Sequence, residues 1–195
     1  MEAVIQMTET GQYHQTAEQI DAELDLVRAA QEDPRKFEPL YRNYYTRIVG
    51  YVYHRLDDKE TAFEITAQVF YHALNNLSRF KAQGVPFGAW LFRIAYNELN
   101  QWFRKEKTRR SVHIDSEGIA GLKESLEDIS TAAQDAQLFE ALQTLDSEEM
   151  EMIDMRFFEK RSFREISGIT GLGESACKMR IYRAIEKLRT HFQKD

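Results

Sequence analysis

Apolar residues recur along most of this chain at the three-and-four spacing of an α-helix, with little of the alternation of a strand. The strongest stripe follows Pro34: Phe37, Leu40, Tyr41, Tyr44, Tyr45, Ile48, Val49, Val52 and Tyr53. Because these aromatics recur at i, i+3, i+4 and i+7, a packed core explains most of them better than base stacking does. Asp57 and Asp58 punctuate the chain, and a third helix is predicted from Lys59 to Leu77, with Ala62, Phe63, Ile65, Thr66, Val69, Phe70, Ala73 and Leu74 as its stripe. A loop follows from Ser78 to Pro86, broken by Gly84. The next helix runs from Phe87 to about Thr108, with Leu91, Ile94, Ala95, Leu99, Trp102 and Phe103 facing inward. Ahead of all these, Met1 to about Gln19 is polar and reads as a frayed tail, and Ile20 to Ala30 is a short helix with Ile20, Leu24 and Val27 on one face.

From Ser111 to Gln137 the composition shifts to Ser, Gly and acids without aromatics, which predicts a flexible acidic linker. Periodicity resumes at Leu138, and Asp146 is a good N-cap for the helix running to Met155. Ser162 and Glu165 form an S-x-x-E capping box, so another helix starts there. Gly168, Gly171 and Gly173 break the pattern. A second run then places Ala176, Cys177, Ile181, Ala184, Ile185 and Leu188 on one side, and Glu174, Ser175, Lys178, Arg180, Arg183 and Lys187 on the other. A capped helix, a short glycine-containing turn and a basic amphipathic helix make a helix-turn-helix, whose second helix enters the DNA major groove with its N-terminal residues nearest the bases. A bland helical hairpin shows the same apolar spacing; the crowding of cations on one helix is what favours DNA.

Composition sharpens this picture at a few points. The formal net charge is -6, so cations concentrated in two stretches argue for local reading of nucleic acid rather than indiscriminate binding. The second basic stretch is the end of the 87–108 helix, where Arg104, Lys105, Lys107, Arg109 and Arg110 crowd together. Trp90, Arg93, Asn97, Asn100, Gln101 and Arg104 share the outward ridge of that helix, an interleaving of groups that stack bases, bond their edges and hold phosphates. The single cysteine, Cys177, falls on an apolar face and packs as a small hydrophobe. No apolar run approaches the roughly 20 residues that cross a bilayer, and the N-terminus lacks a signal-peptide pattern, so a cytoplasmic location and no membrane insertion are expected. The scattered histidines share no ligand spacing with Cys177, and phosphate-loop and nucleophile-elbow motifs are absent. Neither metal, cofactor nor catalytic residue is expected, and the chain is not read as an enzyme.

The stretch RFFEKRSFREISGITGLGESACKMRIYRAIEKLR resembles the promoter-reading C-terminal region of bacterial RNA polymerase sigma factors of the sigma-70 family, in particular the extracytoplasmic-function (ECF) group. TAQVFYHALNNLSRF, followed by FGAWLFRIAYNELNQWFR, resembles the domain of that family that binds polymerase and reads the −10 element. The resemblance implies an all-α chain of two small helical domains. Residues 20–110 would form the region 2-like domain, 111–137 the linker and 138–195 the region 4-like helix-turn-helix, after a tail at 1–19. It further implies −35 reading through Glu174, Ser175, Lys178, Arg180 and Arg183. For melted −10 DNA it implies Phe80 in the loop, with Lys81, Trp90, Arg93, Asn97 and Arg104. For the β′ clamp of core polymerase it implies Glu64, Thr66, Gln68 and Phe70. The C-terminal domain, through its first two helices, would meet the β flap, and an anti-sigma factor would mask the polymerase-binding surface. Two departures from the family pattern stand out: Ala67-Gln68 stands where Gln-Glu is usual, and Glu64 where Asp is usual. The first departure keeps a second reading open, a stand-alone helix-turn-helix regulator that does not bind polymerase. A third, a helical interaction protein with solvated basic faces, predicts that charge reversal at Arg180 and Arg183 changes nothing.

Overall fold

The computed structural model describes residues 17–56, 58–82, 86–106, 116–126 and 133–192. Every regular element among them is helical. The chain divides into two compact units, one built on residues 14–113 and the other on 114–167 and 171–195.

In the first unit, α1 spans Ala17–Glu32, α2 Glu38–Leu56, α3 Lys59–Asn76 and α4 Phe87–Glu106. Asp33 caps a short 3-10 turn at Pro34–Phe37 that leads into α2. Asp58 caps α3 by accepting the Thr61 N–H at 2.9 Å. α2 packs on α3 and α4, α3 packs on α4, and α1 lies against α2 and α4. Val27, Leu40, Ile48, Val52, Val69, Leu91, Ala95 and Leu99 are sealed inside, and burying each large aliphatic chain contributes about 1.5–3 kcal/mol. Tyr44 ties the unit together. Its ring meets Phe87 edge-on at 5.7 Å, and its hydroxyl donates to the buried Glu23 carboxylate of α1. Gly88 lets α4 come this close, since a Cβ there would lie 2.5 Å from the Tyr44 hydroxyl oxygen.

The second unit contains α5 (Ser116–Leu126), α6 (Ala133–Gln143), α7 (Ser147–Ile153), α8 (Phe163–Thr170) except its last three residues, and α9 (Glu174–Phe192). Between α7 and α8 the chain widens into a π-type turn at Asp154–Phe158. α9 is the central helix here, packing on α5, α6 and α7 through Cys177, Ile181, Ala184, Ile185 and Leu188. Both expected caps form: Asp146 with Glu149 closes one box at α7, and Ser162 with Glu165 closes another at α8. Gly171 ends α8 at φ 76°, a backbone conformation that glycine adopts without strain.

Several expectations need correction. α1 begins at Ala17, so the last residues of the expected tail are helical, while Met1 to residue 16 lie outside the described residues. The linker at 111–137 is in part a folded element. Ile119, Leu122 and Leu126 share one face of α5, which packs on the π-type turn with Leu122 and Leu126 buried. The helix of the last domain starts at Ala133 rather than Leu138. On α3, Phe63 and Leu74 are exposed, because the buried stripe follows Ala62, Ile65, Thr66, Val69 and Phe70 and leaves them on the opposite side. Tyr41 and Tyr53 likewise stand out of the α2 core. On α4, Phe87 and Phe92 are buried, and Ile94 and Trp102 are only half-buried.

Candidate nucleic-acid interfaces

The helix-turn-helix is assembled by its caps and by one aromatic ring. The Ser167 hydroxyl donates to the Leu172 carbonyl at 2.6 Å and fixes the turn between α8 and α9. Phe163, at the start of α8, lies under two cations, with the Arg156 guanidinium 4.6 Å and the Lys178 ammonium 5.3 Å from its centroid. Arg156 is buried and donates to the Arg161 carbonyl at 2.9 Å. Burial pushes its guanidinium below the ordinary arginine range. On α9, Glu174, Ser175 and Arg183 are exposed, and Lys178 and Arg180 are partly so. These expected residues therefore share the open side of one helix.

Two acids of α7 face the cations of α9. Glu148 forms an ion pair with Arg180, and Glu149 pairs with Lys187 at 2.7 Å. Glu151 is buried. The reason is local packing: α7 lies along α9, so its acids meet the cations of α9. A DNA phosphate approaching Arg180 must therefore compete with a carboxylate. Exposed Met179, beside these cations, is a surface residue that the amphipathic pattern does not single out.

On the first unit, Trp90, Arg93, Asn97, Gln101 and Arg104 lie along one ridge of α4, spanning about 21 Å at 1.5 Å per residue. Arg93, Asn97, Gln101 and Arg104 are exposed and Trp90 is half-buried. Lys81 is exposed beside the start of α4. Phe80 requires a correction. Its ring is buried, 5.1 Å from the Trp90 ring and 5.7 Å from that of Phe87, so it supports Trp90 and is not offered to a base.

α3 presents a separate surface. Glu64 and Gln68 are exposed, as a binding role requires, but Thr66 and Phe70 are buried among core residues and cannot meet a partner. The residues that accompany Glu64 and Gln68 outward are Phe63, Ala67, Tyr71 and Leu74, with Tyr71 64% exposed. Their spacing of four, four and three marks one helical face, a signal present in the sequence but masked by counting Phe63 and Leu74 into the core. Among the described residues no three metal-ligating side chains come together, and no helix is long and apolar enough to cross a membrane.

Two family models match: Sigma-70 region 2 over residues 40–109, and Sigma-70, region 4 over residues 141–190. The chain belongs to the ECF group of the sigma-70 family. It is 32% identical over 172 residues to the ECF RNA polymerase sigma factor BldN of Streptomyces coelicolor, covering 85% of this chain and 64% of that relative's length. Among solved structures it is similar to CnrH in complex with the cytosolic domain of CnrY, with a TM-score of 0.56 at 23% identity over 90% of this chain and 99% of that one. It is also similar to the sigma factor RpoE in complex with the anti-sigma factor NepR from Bartonella quintana, with a TM-score of 0.53 at 19% identity over 83% and 99% of the two chains. At these identities the two structures speak for the fold alone.

Within this sigma-70 chain, the region 2 match takes in α2, α3 and α4, and the region 4 match takes in α7, α8 and α9. Both basic faces and the apolar face of α3 thus fall inside the matched segments. Helices α1 and α5 fall outside them, although each is packed into its own unit.

Proposed function

We propose that this chain binds core RNA polymerase, brings it to promoters and traps melted DNA there, without catalysing a reaction of its own. One observation carries this reading over the stand-alone regulator: the apolar face of Phe63, Ala67, Tyr71 and Leu74 stands open on α3. A protein that only binds DNA has no use for such a face, whereas a polymerase-docked one buries it. Glu64 and Gln68 flank the face, so a basic partner surface such as the β′ clamp is matched by at least one charge. With Ala67 in place of a longer polar side chain, apolar burial takes over part of that contact.

The roles then divide by unit. Glu174, Ser175, Lys178, Arg180 and Arg183 of α9 read the −35 duplex, with Arg180 leaving Glu148 as it engages DNA. Lys81, Trp90, Arg93, Asn97 and Arg104 line the path of melted −10 DNA. Extruding a paired base costs a few kcal/mol, and a single base stacked on an aromatic ring returns about 1–3 kcal/mol. Trp90, braced by Phe80 and Phe87, is the ring suited to that task. The second unit meets the β flap. An anti-sigma factor competes with polymerase for the apolar face of α3, and the protein works in the cytoplasm.

The direct test is reconstitution: core polymerase and the purified protein are passed together over size exclusion, and the complex is assayed for start-site-specific transcription. Co-elution with new initiation supports the proposal. Duplex binding by a protein that elutes apart from polymerase would transfer the reading to the stand-alone regulator.

A further inference from the structure

The main chain at the end of α3 is held from a distance. Helix ends leave carbonyl oxygens short of donors; here the Leu77 carbonyl accepts the Phe80 N–H at 3.0 Å, and it and the Phe80 carbonyl both receive one further side chain. The Gln31 amide nitrogen on α1 donates to the Leu77 carbonyl at 2.8 Å and to the Phe80 carbonyl at 2.9 Å. A primary amide has two hydrogens, so both are engaged, across sequence separations of 46 and 49 residues. α1 is a firm support for this bond, because Val27 and Ala30 are buried and Glu23 accepts from the Tyr44 hydroxyl. Tyr44 in turn packs on Phe87 and Gly88 at the start of α4. Thus α1 is fastened to both flanks of the 80–87 segment, through Gln31 on one side and through Glu23 and Tyr44 on the other.

From this juxtaposition we infer that Gln31 is a positioning residue for −10 recognition, fixing the backbone from which Phe80 braces Trp90 and Lys81 projects. The inference rests on the proposed −10 role of that surface. Solvent can satisfy the two carbonyls when Gln31 is replaced, so the unit stays folded while Phe80 and Lys81 lose their fixed position. Base reading tolerates such a loss poorly, since a recognition group must be held within a fraction of an ångström by the residues behind it. α1 itself touches no base in this scheme.

The test uses holoenzyme assembled from core polymerase and the full chain, selecting open complexes from a promoter library randomised at both elements. Gln31→Glu keeps the shape, removes the donors and sets a carboxylate against two carbonyls. Gln31→Met removes the donors without charge. Gln31→Lys retains a donor long enough to reach. Preference ratios between bases are the readout, because a reduced folded fraction scales every promoter equally and leaves the ratios unmoved. For Gln31→Glu and Gln31→Met, preference at the strongest −10 position is expected to fall about fivefold or more, the lower end of what one correctly read base contributes. The −35 preferences should be unchanged, and Gln31→Lys should restore most of the −10 preference. Unaltered −10 preferences in both donor-free variants, alongside weakened ones in Trp90→Ala and Lys81→Ala, would overturn the role of Gln31 alone. If Trp90→Ala and Lys81→Ala also leave the −10 preferences unaltered, the −10 reading of this surface is itself wrong and the inference falls with it.

Discussion

Two glycines three residues apart in α5 test whether this helix belongs to the C-terminal unit. A Cβ added at Gly118 would lie 2.2, 2.7 and 2.9 Å from Cδ1, Cε1 and Cγ of the buried Phe158 ring. Ordinary carbon–carbon contact needs about 3.5 Å or more, so the closest approach is short by about 1.3 Å. At Gly121 the nearest atom is Cδ1 of Phe157 at 4.0 Å, which is ordinary contact. Replacing either glycine by alanine favours the helix by about 1 kcal/mol. That gain is common to both variants and cancels in their comparison. What remains is overpacking at Gly118 alone, about 1–3 kcal/mol. For a unit of this size, each kcal/mol moves the melting temperature by about 4–8 °C. Gly121→Ala is therefore expected to stabilise the unit, and Gly118→Ala to fall below it by at least several degrees.

The assay is urea or thermal unfolding of the full chain followed by far-ultraviolet circular dichroism and by tryptophan fluorescence. Both tryptophans, Trp90 and Trp102, are in the first unit. A lower dichroism transition with an unshifted fluorescence transition assigns the loss to the second unit. Were Gly118→Ala as stable as Gly121→Ala, α5 would not be packed on Phe158, and 111–137 would be the flexible spacer that its composition suggests.

Three further outcomes follow from the surfaces. Glu148→Gln should strengthen duplex binding severalfold, because Arg180 no longer has to leave a carboxylate to reach phosphate, with little change in melting, since exposed ion pairs contribute only about 0–1 kcal/mol; unchanged affinity would remove Arg180 from the DNA-contacting set. The double variant Phe63→Ser, Tyr71→Ser should lose co-elution with core polymerase while its melting temperature holds, whereas an unimpaired complex would place the polymerase contact elsewhere. The Asp58 carboxyl is held below its ordinary range by hydrogen bonds from the Thr61 hydroxyl and N–H. Its contribution is thus complete above the unfolded aspartate value of about 4 and disappears as pH falls through the lowered folded value, so Asp58→Asn should flatten this acid limb in melts taken from pH 5 down to 2.

What the chain discloses before folding depends on whether a feature is local. The N-cap at Asp146, the capping box at Ser162 and the turn at Gly171 are encoded within a few residues, and all three form as read; of the basic end of α4, Lys107, Arg109 and Arg110 lie outside the described residues. Composition misled at α5, where Ser, Gly and acids obscured Ile119, Leu122 and Leu126 at three- and four-residue spacings. Tertiary facts were not legible at all. Nothing near Phe80 tells that Phe87 and Trp90 close over its ring, and nothing in the acidic run at 148–151 tells that α7 lies beside Arg180 and Lys187. The bond from Gln31 to Leu77 and Phe80 is likewise invisible until α1 is docked.

The helix α3 shows why residue lists taken from a motif need this separation. Its core face holds Thr66 and Phe70, and its open face holds Phe63, Glu64, Ala67, Gln68 and Tyr71, so neighbours in sequence serve opposite purposes. A charge at Thr66 would abolish polymerase binding as surely as one at Tyr71, but by unfolding the unit. Buried without a hydrogen-bond partner for its hydroxyl, Thr66 is packed as an apolar group. Thr66→Val should therefore preserve both stability and binding, which no residue in direct contact through its hydroxyl would allow. The pair of substitutions at Thr66 and Tyr71 distinguishes the helix as scaffold from the helix as binding surface, and binding measured without a melting curve cannot.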